Sequence, residues 1–364
     1  MLRMALIGCG RIGSTKHVEA MIKNSDVLKV QAFCDIVRER AESCCEKINK
    51  HLGYKPSVYT DYKRMLREEK LDFVVIATES GFHYEITMEV LRNNVNVLVE
   101  KPMALSTSHI DEMINTAKKN NLKLGVCFQN RFNPPIVELR KKIDCGSFGK
   151  INYGVANIRW NRDKNYYDQA KWRGTWRLDG GTLMNQCTHN IDLLQWMLGG
   201  EIDEVYGVIR NFQHPYIEAE DFGGAIVKFA NGSIGIIEGT STIYPKNLEE
   251  TLSIFGERGT VIIGGLAVNK IQVWRFEEED SHPFMNLPDP DTVYGSGHVP
   301  LYRDFCEAVV ENREPKINGE EGKKAVEIVL AIYKSALENK PVKFPFDFSS
   351  EDMLGWSDHY VVRG

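Results

Sequence analysis

Lys101 is the residue of this sequence whose type and position best combine for chemistry. It lies in the tripeptide Glu100-Lys101-Pro102, directly after the apolar run at residues 95–99. Such a run predicts a buried strand, and the strands of an open α/β sheet direct their carboxyl ends towards a ligand crevice. Pro102 cannot continue a central strand, so the chain must leave the sheet there. The sequence therefore predicts an amine at the mouth of a crevice, in a position suited to proton transfer.

A glycine pattern near the amino terminus is the second informative feature. A short apolar strand is predicted before the hexapeptide GCGRIG at residues 8–13, and a helix is predicted after it. This strand–loop–helix order is typical of a dinucleotide-binding site. In such a site Gly8 makes the tight turn, Gly10 admits the pyrophosphate, and Gly13 lets the helix pack on the strand. The amino-terminal end of the helix then offers free N–H groups to the phosphates.

Asp35 is predicted to select between the two nicotinamide dinucleotides. It ends the second predicted strand, about 20 residues after the glycines, as the dinucleotide fingerprint requires. Its carboxylate can accept hydrogen bonds from both hydroxyls of the adenosine ribose, and it would repel the 2′-phosphate of NADP. NAD is therefore the expected cofactor. Arg38 and Arg40 follow closely and weaken that preference, so NADP stays the second candidate.

A third feature is the glycine-rich stretch that leads into a predicted helix, residues 180–198. At 100° per residue, its apolar side chains form one stripe, as expected for a core-facing helix. Asn185, His189, Asp192 and Trp196 form a separate line roughly 140° away from that stripe. A polar line off the core stripe faces either solvent or a cleft. The residues alone leave these two interpretations open.

Taken together, the three features resemble the Gfo/Idh/MocA family, named for glucose–fructose oxidoreductase, inositol dehydrogenase and rhizopine catabolism. The glycine loop, Glu100-Lys101-Pro102 and the stretch that ends in His189 occur in the family's order over essentially the whole chain. The resemblance implies an NAD(P)-dependent oxidoreductase that acts on a sugar or cyclitol hydroxyl. It also implies a catalytic histidine at position 189.

The motifs and the resemblance define the candidate site. Lys101 and His189 are the predicted catalytic residues. The predicted cofactor-binding residues are Gly8, Gly10, Arg11, Ile12, Gly13, Asp35, Thr78, His83, Glu100, Lys101 and Gln129. The predicted substrate-binding residues are Lys101, Arg131, Trp172, Arg173, Asn185, His189 and His298. His298 is included because Gly-Ser-Gly-His at residues 295–298 resembles the family's Gly-His element of the substrate pocket; a solvated loop histidine is the alternative. No metal is expected.

Which of the two catalytic candidates accepts the proton of the substrate stays open. Either His189 or Lys101 takes the proton of the substrate hydroxyl, and the other polarises the developing carbonyl. His189 is the favoured base, because the ordinary pKa of histidine already lies near neutrality.

Several positions of the glycine-rich stretch depart from the family pattern. Asn185 stands where many members carry an aspartate, and an amide can orient a hydroxyl but cannot relay its proton. Thr182 and Cys187 stand where glycines are usual. The sequence Leu-Met-Asn-Gln at residues 183–186 resembles instead the branch that includes nucleotide-sugar 3-dehydrogenases. The departures therefore favour, as substrate, a UDP-linked N-acetylamino sugar or its uronic acid, oxidised at C3.

The segment from residue 159 to residue 177, the basic segment, is cationic within an acidic chain. It holds six basic side chains against two acidic ones, with tryptophans and tyrosines between them. A local excess of positive charge indicates an anionic ligand, and aromatic rings can stack on a base or a sugar. Trp172 and Arg173 are the substrate contacts predicted within it. A positively charged subunit interface is the alternative interpretation.

Length and element pattern predict the fold that positions these residues. The chain has 364 residues, of which 43% are hydrophobic, enough for two packed domains. Strands and helices alternate at first, which predicts an α/β domain at 1–128 with a Rossmann-type parallel sheet. Longer alternating strands then dominate, which predicts an α+β domain at 129–364 with an open, mostly antiparallel sheet. One bare apolar face of that sheet would pack on another copy, so we expect a homo-oligomer, either a dimer or a tetramer.

Charge and cysteine usage argue against several other classes of protein. The net charge of −5 argues against a nucleic-acid partner. No apolar run approaches the roughly 18 residues of a membrane span, and the first strand begins too early to leave room for a signal peptide. The eight cysteines lack the spacing of a metal site or of a disulfide framework. A cytoplasmic enzyme with a small-molecule substrate is therefore expected.

Two alternatives stay open. A free-sugar or inositol dehydrogenase would share the motifs without depending on the basic segment. A cofactor-binding sensor without turnover would be indicated by loss of the catalytic lysine or histidine, and both Lys101 and His189 are present.

Overall fold

The computed structural model describes residues 1–265, 268–277, 281–286 and 295–356. The chain divides into two compact units. The first unit consists of Met1–Ala104, Ser108–Gln129 and Ser296–Lys323, and the second consists of Leu105–Thr107, Asn130–Gly295 and Lys324–Gly364. A late segment of the chain thus returns to the first unit. The division into domains 1–128 and 129–364 stays a prediction.

The first unit is built on a parallel sheet of six strands, which confirms the predicted Rossmann-type fold. The strands are β1 (Leu2–Ile7), β2 (Leu28–Cys34), β3 (Ser57–Tyr59), β4 (Phe73–Ile76), β5 (Asn96–Val99) and β6 (Leu124–Val126). They lie in the order β3-β2-β1-β4-β5-β6. The order reverses between β1 and β4, and ligands of doubly wound sheets bind outside the carboxyl ends of the strands at such a point.

Helices connect the strands of this sheet, and local signals set their ends. They are α1 (Val18–Lys23), α2 (Arg38–Leu52), α3 (Tyr62–Glu68), α4 (His83–Arg92) and α5 (Thr107–Lys119). Gly53 ends α2 with a left-handed φ of 76°, a conformation that favours glycine. The Asp61 side chain caps α3 by accepting hydrogen bonds from the N–H groups of Lys63 and Arg64.

The second unit contains a mixed, mostly antiparallel sheet of eight strands, as predicted. The strands are β7 (Ile151–Arg159), β8 (Ile202–Arg210), β9 (Phe222–Phe229), β10 (Ile234–Thr240), β11 (Glu249–Gly256), β12 (Gly259–Gly264), β13 (Lys270–Phe276) and β14 (Val342–Lys343). Their order is β13-β12-β11-β7-β10-β9-β8-β14. Only the neighbours β7 and β10 run parallel within this sheet.

Helix α8 (Thr188–Leu198) packs closely on the inner face of this sheet. The helices that follow α5 are α6 (Pro134–Asp144), α7 (Lys164–Asp168), α8 (Thr188–Leu198), α9 (His298–Glu311) and α10 (Gly319–Glu338). A Cβ at Gly154 of β7 would lie 2.9 Å from the Leu194 side chain of α8, and one at Gly235 of β10 would lie 3.3 Å from it. These two strand glycines therefore let α8 approach the sheet closely.

The outer face of the same sheet carries a row of exposed apolar side chains. Tyr206, Ile226 and Ile236 are 41%, 49% and 40% exposed. They are direct cross-strand partners, because Tyr206 pairs with Ile226 and Ile226 pairs with Ile236. A contiguous apolar patch of this kind is typical of an interaction surface. It is the bare face on which the prediction of a homo-oligomer depends.

The elements that the sequence does not predict are very short. They include α7, of five residues, and β14, of two residues. Segments of this length contain too few residues to show a hydrophobic period. Within the described parts of the chain, no helix has both the length and the apolar character needed to cross a membrane.

Charging the outer face should prevent self-association through it. We expect the double variant Ile226→Lys, Ile236→Lys to elute at a lower mass than the wild-type protein in size-exclusion chromatography with light scattering, because two buried charges would face each other without partners. Val310→Lys is the matched control, since Val310 is also exposed but lies on α9. A wild-type monomer, or an unchanged mass of the double variant, would contradict the predicted oligomer.

Candidate active site

The loop after β1 brings the backbones of two strands into close contact. Gly8 has a φ of 94°, a left-handed conformation. A Cβ at Gly8 would lie 2.4 Å from the carbonyl oxygen of Ala77, just after β4, and one at Gly13 would lie 2.2 Å from the carbonyl oxygen of Gly8. No side chain fits at either position. A Cβ at Gly10 would meet no atom within 4 Å, so a ligand can approach the backbone there.

The helix that follows this loop begins with a π turn, Gly13–His17, and continues as α1. No side chain caps its start. Arg11 is exposed and Ile12 is half-buried beside it. The first N–H groups of a helix have no acceptor within the helix, so they can bind an anion. The uncapped start and the open surface at Gly10 together fit the pyrophosphate of a dinucleotide.

Asp35 anchors the glycine loop to the end of β2. Its Oδ2 accepts a hydrogen bond from the N–H of Cys9 at 2.7 Å, and its Oδ1 accepts one from the N–H of Val37 at 2.8 Å. A carboxylate offers about four lone-pair sites, so it can still accept hydrogen bonds from ribose hydroxyls. Arg38 is paired with Glu42 at 2.8 Å, which draws one nearby arginine away from any 2′-phosphate.

His83 links the ends of β4 and β5. Its Nδ1 lies 2.7 Å from the carbonyl oxygen of Pro102, and its Nε2 lies 3.1 Å from that of Thr78. Burial lowers the pKa of His83, so the ring is neutral at neutral pH and only one of its nitrogens carries a proton. The shorter distance assigns that proton to Nδ1. His83 therefore holds the backbone that follows Lys101.

Lys101 lies two residues after the end of β5 and is half-buried. Its backbone N–H donates to Oε2 of Glu100 at 3.1 Å. The other oxygen of Glu100, Oε1, lies 2.9 Å from Nε2 of His17 and 3.4 Å from Nε2 of His298. The strand end that carries the predicted catalytic lysine is therefore surrounded by buried polar groups.

Gln129 and His298 are also buried in the first unit. Each is 2% exposed, so the alternative of a solvated loop histidine at position 298 is wrong. A Cβ at Gly297 would lie 2.2 Å from the carbonyl oxygen of Gln129, so the backbones of Gly297 and Gln129 are in contact. The predicted contacts of Gln129 with cofactor and of His298 with substrate stay predictions. The burial of His298 beside Glu100 favours a supporting role for its ring.

In the second unit, a glycine pair precedes the helix of the glycine-rich stretch, which is called the motif helix below. This pair lies against a buried glutamate. Gly180 and Gly181 have φ values of 82° and 96°. A Cβ at Gly181 would lie 2.1 Å from Oε2 of Glu220. Oε1 of Glu220 accepts hydrogen bonds from the N–H of Leu183 at 2.7 Å and from the hydroxyl of Tyr333 at 2.8 Å. Burial raises the pKa of Glu220 to about 8. These contacts fix the first turn of the helix.

The motif helix begins with a π turn, Leu183–Cys187, and continues as α8. Both motif helices of the chain thus begin with a π turn, a rare feature that is frequent at functional sites. Cys187 stands where a glycine is usual, and it faces Gly239 of β10. A Cβ at Gly239 would lie 2.6 Å from Sγ of Cys187. The strand therefore has a glycine at the point where the helix has a cysteine instead of a glycine, and this leaves room for the cysteine side chain.

Asn185 and His189 are half-buried, whereas most of the motif helix around them is fully buried. The Asn185 amide nitrogen donates to a carboxylate oxygen of Asp179, whose other oxygen accepts the N–H of Gly174 at 2.6 Å. A carboxylate only accepts, so Asn185 must turn its NH2 group towards Asp179. The amide oxygen is then the group of Asn185 that can accept a hydrogen bond from a hydroxyl.

Arg131 forms a buried bidentate pair with Asp192 of α8. Nε and one terminal nitrogen of the guanidinium donate to the two carboxylate oxygens at 2.8 and 2.6 Å. The guanidinium also lies 4.8 Å from the ring centre of Trp196, one turn further along the helix. A buried pair with this geometry fixes the orientation of α8, and with it that of His189. A contact between Arg131 and substrate stays a prediction.

The basic segment contains two kinds of cation. Three of them are paired with acids: Arg159 with Glu238 and Glu249, Lys164 with Asp168, and Arg177 with Glu351. Arg162, Lys171 and Arg173, by contrast, have no carboxylate partner among the described residues. Their positive charge is therefore available to an anionic ligand.

Arg162 and Arg173 both stack on Tyr166, at 5.1 and 4.0 Å from its ring centre. The Tyr166 hydroxyl accepts a hydrogen bond from the Gln186 side chain at 2.9 Å, so this cluster is connected to the motif helix next to Asn185. The half-buried Trp172 lies beside Arg173, with 5.7 Å between the guanidinium and the ring centre. The structure thus brings the two unneutralised arginines next to the glycine-rich motif.

Three buried residues that organise these sites were not singled out by sequence reasoning: His17, Asp179 and Glu220. His17 lies four residues after Gly13, so helical spacing could have placed it on the same face as Gly13 in the helix that follows the glycine loop. Glu220 is far from Leu183 in the sequence, and no local signal connects the two.

Two family models match the chain. The oxidoreductase family with an NAD-binding Rossmann fold matches residues 2–128, and the GFO/IDH/MocA C-terminal domain matches residues 136–262. These matches cover more than half of the sequence. The chain belongs to the Gfo/Idh/MocA oxidoreductase family.

Relatives within the Gfo/Idh/MocA family span nearly the whole chain. The WlbA dehydrogenase from Bordetella pertussis, solved in complex with NADH and UDP-GlcNAcA, is 34% identical with a TM-score of 0.83, covering 95% of this chain and 99% of that one. The myo-inositol 2-dehydrogenase of Thermotoga maritima is 24% identical, covering 94% and 98% of the two chains. The scyllo-inositol 2-dehydrogenase (NAD(+)) of Bacillus subtilis is 24% identical, covering 94% and 96%. As a Gfo/Idh/MocA protein, this chain is an NAD-dependent sugar or inositol dehydrogenase, which confirms the predicted enzyme class and cofactor.

Removing the Asp35 carboxylate should weaken NADH binding and reduce the discrimination against NADPH. We expect Asp35→Ala to raise the Kd for NADH by roughly tenfold or more, because hydrogen bonds to a charged group contribute about 1.5–3 kcal/mol each. Isothermal titration with NADH and NADPH measures both effects. Asp26→Ala is the control, since it removes an exposed carboxylate paired with Arg303 in the same unit. Tighter binding of NADPH than NADH by the wild type would contradict the assigned role of Asp35.

Proposed function

We propose that this enzyme oxidises the C3 hydroxyl of a UDP-linked N-acetylamino sugar, or of its uronic acid, with NAD as the hydride acceptor. The observation that carries the proposal is the 34% identity, over 95% of this chain, with a dehydrogenase solved in complex with NADH and UDP-GlcNAcA. The inositol dehydrogenases named above are 24% identical. The Leu-Met-Asn-Gln sequence at residues 183–186 supports the same branch.

The charge of the basic segment supports a substrate with a diphosphate. Arg162 and Arg173 lack carboxylate partners among the described residues, and both lie against Tyr166, which is hydrogen-bonded to the motif helix. A guanidinium presents a rigid fork of donors that matches phosphate oxygens in a bidentate manner. A neutral sugar would gain nothing from this charge, so the segment favours a nucleotide-linked substrate.

The glycine loop, the Glu100-Lys101-Pro102 tripeptide and the glycine-rich stretch each have a separate role in the proposed reaction. The glycine loop and Asp35 would hold NAD, which when bound supplies the acceptor for the hydride. His189 takes the proton of the substrate hydroxyl, and Lys101 polarises the developing carbonyl oxygen by donating a hydrogen bond to it. Asn185 orients the hydroxyl through its amide oxygen, because Asp179 holds the NH2 side of that amide.

Loss of either catalytic candidate should reduce turnover much more than cofactor binding. We expect Lys101→Ala and His189→Ala each to lower kcat by about 10² or more, the usual size of acid–base assistance. The Kd for NADH should stay near the wild-type value. Lys119→Ala and His51→Ala are matched controls, since both of these side chains are exposed. Near-normal turnover of either catalytic variant would remove that residue from the mechanism.

Charge removal in the basic segment should affect nucleotide sugars selectively. We expect Arg173→Ala to raise the KM for UDP-GlcNAcA by roughly tenfold, equivalent to the loss of about one charge-assisted hydrogen bond. Added salt should weaken wild-type binding, because it screens exposed charges within about 8–10 Å. Arg258→Ala removes the same charge from an exposed position outside the segment and should leave KM unchanged.

A second candidate is an inositol or free-sugar dehydrogenase, which the names of the relatives that span 94% of the chain favour. Isothermal titration of the NADH-loaded enzyme with UDP-GlcNAcA, myo-inositol and glucose separates the two. Binding of neutral sugars alone, without any effect of Arg173→Ala, would reject the nucleotide sugar. In a parallel assay with NAD instead of NADH, binding of every ligand without reduction of the cofactor would indicate a sensor rather than an enzyme.

A further inference from the structure

A chain of buried hydrogen bonds ends at the backbone of Lys101. Glu100 is 7% exposed, His17 and Tyr302 are 0% exposed, and His298 is 2% exposed. Such a dense cluster of buried polar side chains is expensive to form, so it needs a reason beyond filling space. All of these residues belong to the first unit.

Short contacts between polar atoms connect these side chains in one chain. A carboxylate only accepts, so Nε2 of His17 must donate to Oε1 of Glu100, at 2.9 Å. The other ring nitrogen of His17, Nδ1, lies 2.7 Å from the hydroxyl of Tyr302, within hydrogen-bond distance. The remaining oxygen of Glu100 accepts the N–H of Lys101 at 3.1 Å. The chain therefore runs from Tyr302 through His17 and Glu100 to Lys101.

The carboxylate in this chain keeps its charge. Burial alone would raise the pKa of Glu100, but the hydrogen bonds from His17 and His298 hold it well below its ordinary value. Burial lowers the pKa of His298, which lies 3.4 Å from the same oxygen, so its ring is neutral near pH 7. Burial, followed by the nearby Glu100, also raises the pKa of Cys127, which keeps that thiol protonated. Glu100 is therefore the anion of the cluster, next to the lysine.

The cluster also joins three elements that meet at the cofactor side of the sheet. His17 ends the π turn that begins at Gly13 of the glycine loop. Glu100 directly follows β5, and both His298 and Tyr302 lie in the first turns of α9. The late segment 296–323 thereby fixes the strand end of Lys101 relative to the helix that follows the glycine loop.

We propose that His17, His298 and Tyr302 are positioning residues for catalysis, which act through Glu100 to hold the backbone of Lys101 in its reactive place. The proposal rests on the catalytic role assigned to Lys101 under the proposed function. A misplacement of about 1 Å at a catalytic group reduces turnover by about 10²-fold, so a rigid support at this point has a large effect. Substrate and cofactor affinity should depend on it much less.

The same cluster has the spacing of a metal site, which is the competing explanation. Ligand atoms of His17, Glu100 and Cys127 lie within 4.8 Å of one another. The direct hydrogen bond between the imidazole and the carboxylate already satisfies both groups without an ion. Metal analysis of the purified protein therefore decides between the two explanations.

The test uses conservative variants of the full chain. We expect Tyr302→Phe to lower kcat about tenfold and Glu100→Gln about a hundredfold, with KM for the sugar within about threefold of wild type in both variants and Kd for NADH within about threefold in Tyr302→Phe. Tyr59→Phe is the matched control, since its hydroxyl donates to Glu69 at 2.9 Å in the same unit but outside the cluster. The effects should vanish in a Lys101→Ala background, because the cluster acts through that lysine.

Three results would overturn the proposal, and each is distinguishable. Normal kcat of Tyr302→Phe and Glu100→Gln, with an inactive Lys101→Ala, would make the cluster a packing feature only. Normal turnover of Lys101→Ala would instead remove the lysine from the mechanism, and both proposals would fail together. A stoichiometric metal ion that is lost from Glu100→Gln would assign the cluster to metal binding.

Discussion

Close backbone contact between the ends of β1 and β4 is the constraint on which the first unit depends. Gly8 approaches the carbonyl of Ala77, and Gly13 approaches Gly8, at distances that no side chain allows. Because the strand order reverses between these two strands, the crevice for a ligand opens at the same place. Asp35 then holds the loop from the neighbouring strand through the N–H of Cys9. The candidate cofactor contacts of the glycine loop and Asp35 follow from this arrangement of backbone.

Buried carboxylates organise the candidate residues of each unit, but their surroundings favour different protonation states. Glu100 lies against two histidines, whose hydrogen bonds hold its pKa well below the ordinary value despite burial. Among the described residues, Glu220 accepts side-chain hydrogen bonds from a backbone amide and a hydroxyl rather than from a histidine, and burial raises its pKa to about 8. An anion therefore lies beside Lys101, whereas the carboxyl next to Gly181 is neutral over part of the physiological pH range.

Two of the departures from the family pattern are explained by their neighbours in space. Asn185 replaces an aspartate, yet Asp179 supplies a carboxylate that hydrogen-bonds to it and orients its amide. Cys187 replaces a glycine in the helix, and Gly239 in the facing strand leaves room for its sulfur. Such compensation preserves the packing of the helix while it changes the polar group offered to a ligand, which is how a shared fold can serve different hydroxyl substrates.

The sequence by itself determined the two sheets, the glycine loop and the positions of Lys101 and His189, because each depends on hydrophobic period and motif residues that are close along the chain. Only the tertiary structure decided that His298, 198 positions from Glu100, lies against that carboxylate. The same holds for the pairing of Arg131 with Asp192 and for the neutralisation of Arg159 by two strand glutamates. The physical reason is that a buried or charged side chain takes its partner from whichever segment folding brings beside it, and local spacing along the chain does not specify that segment.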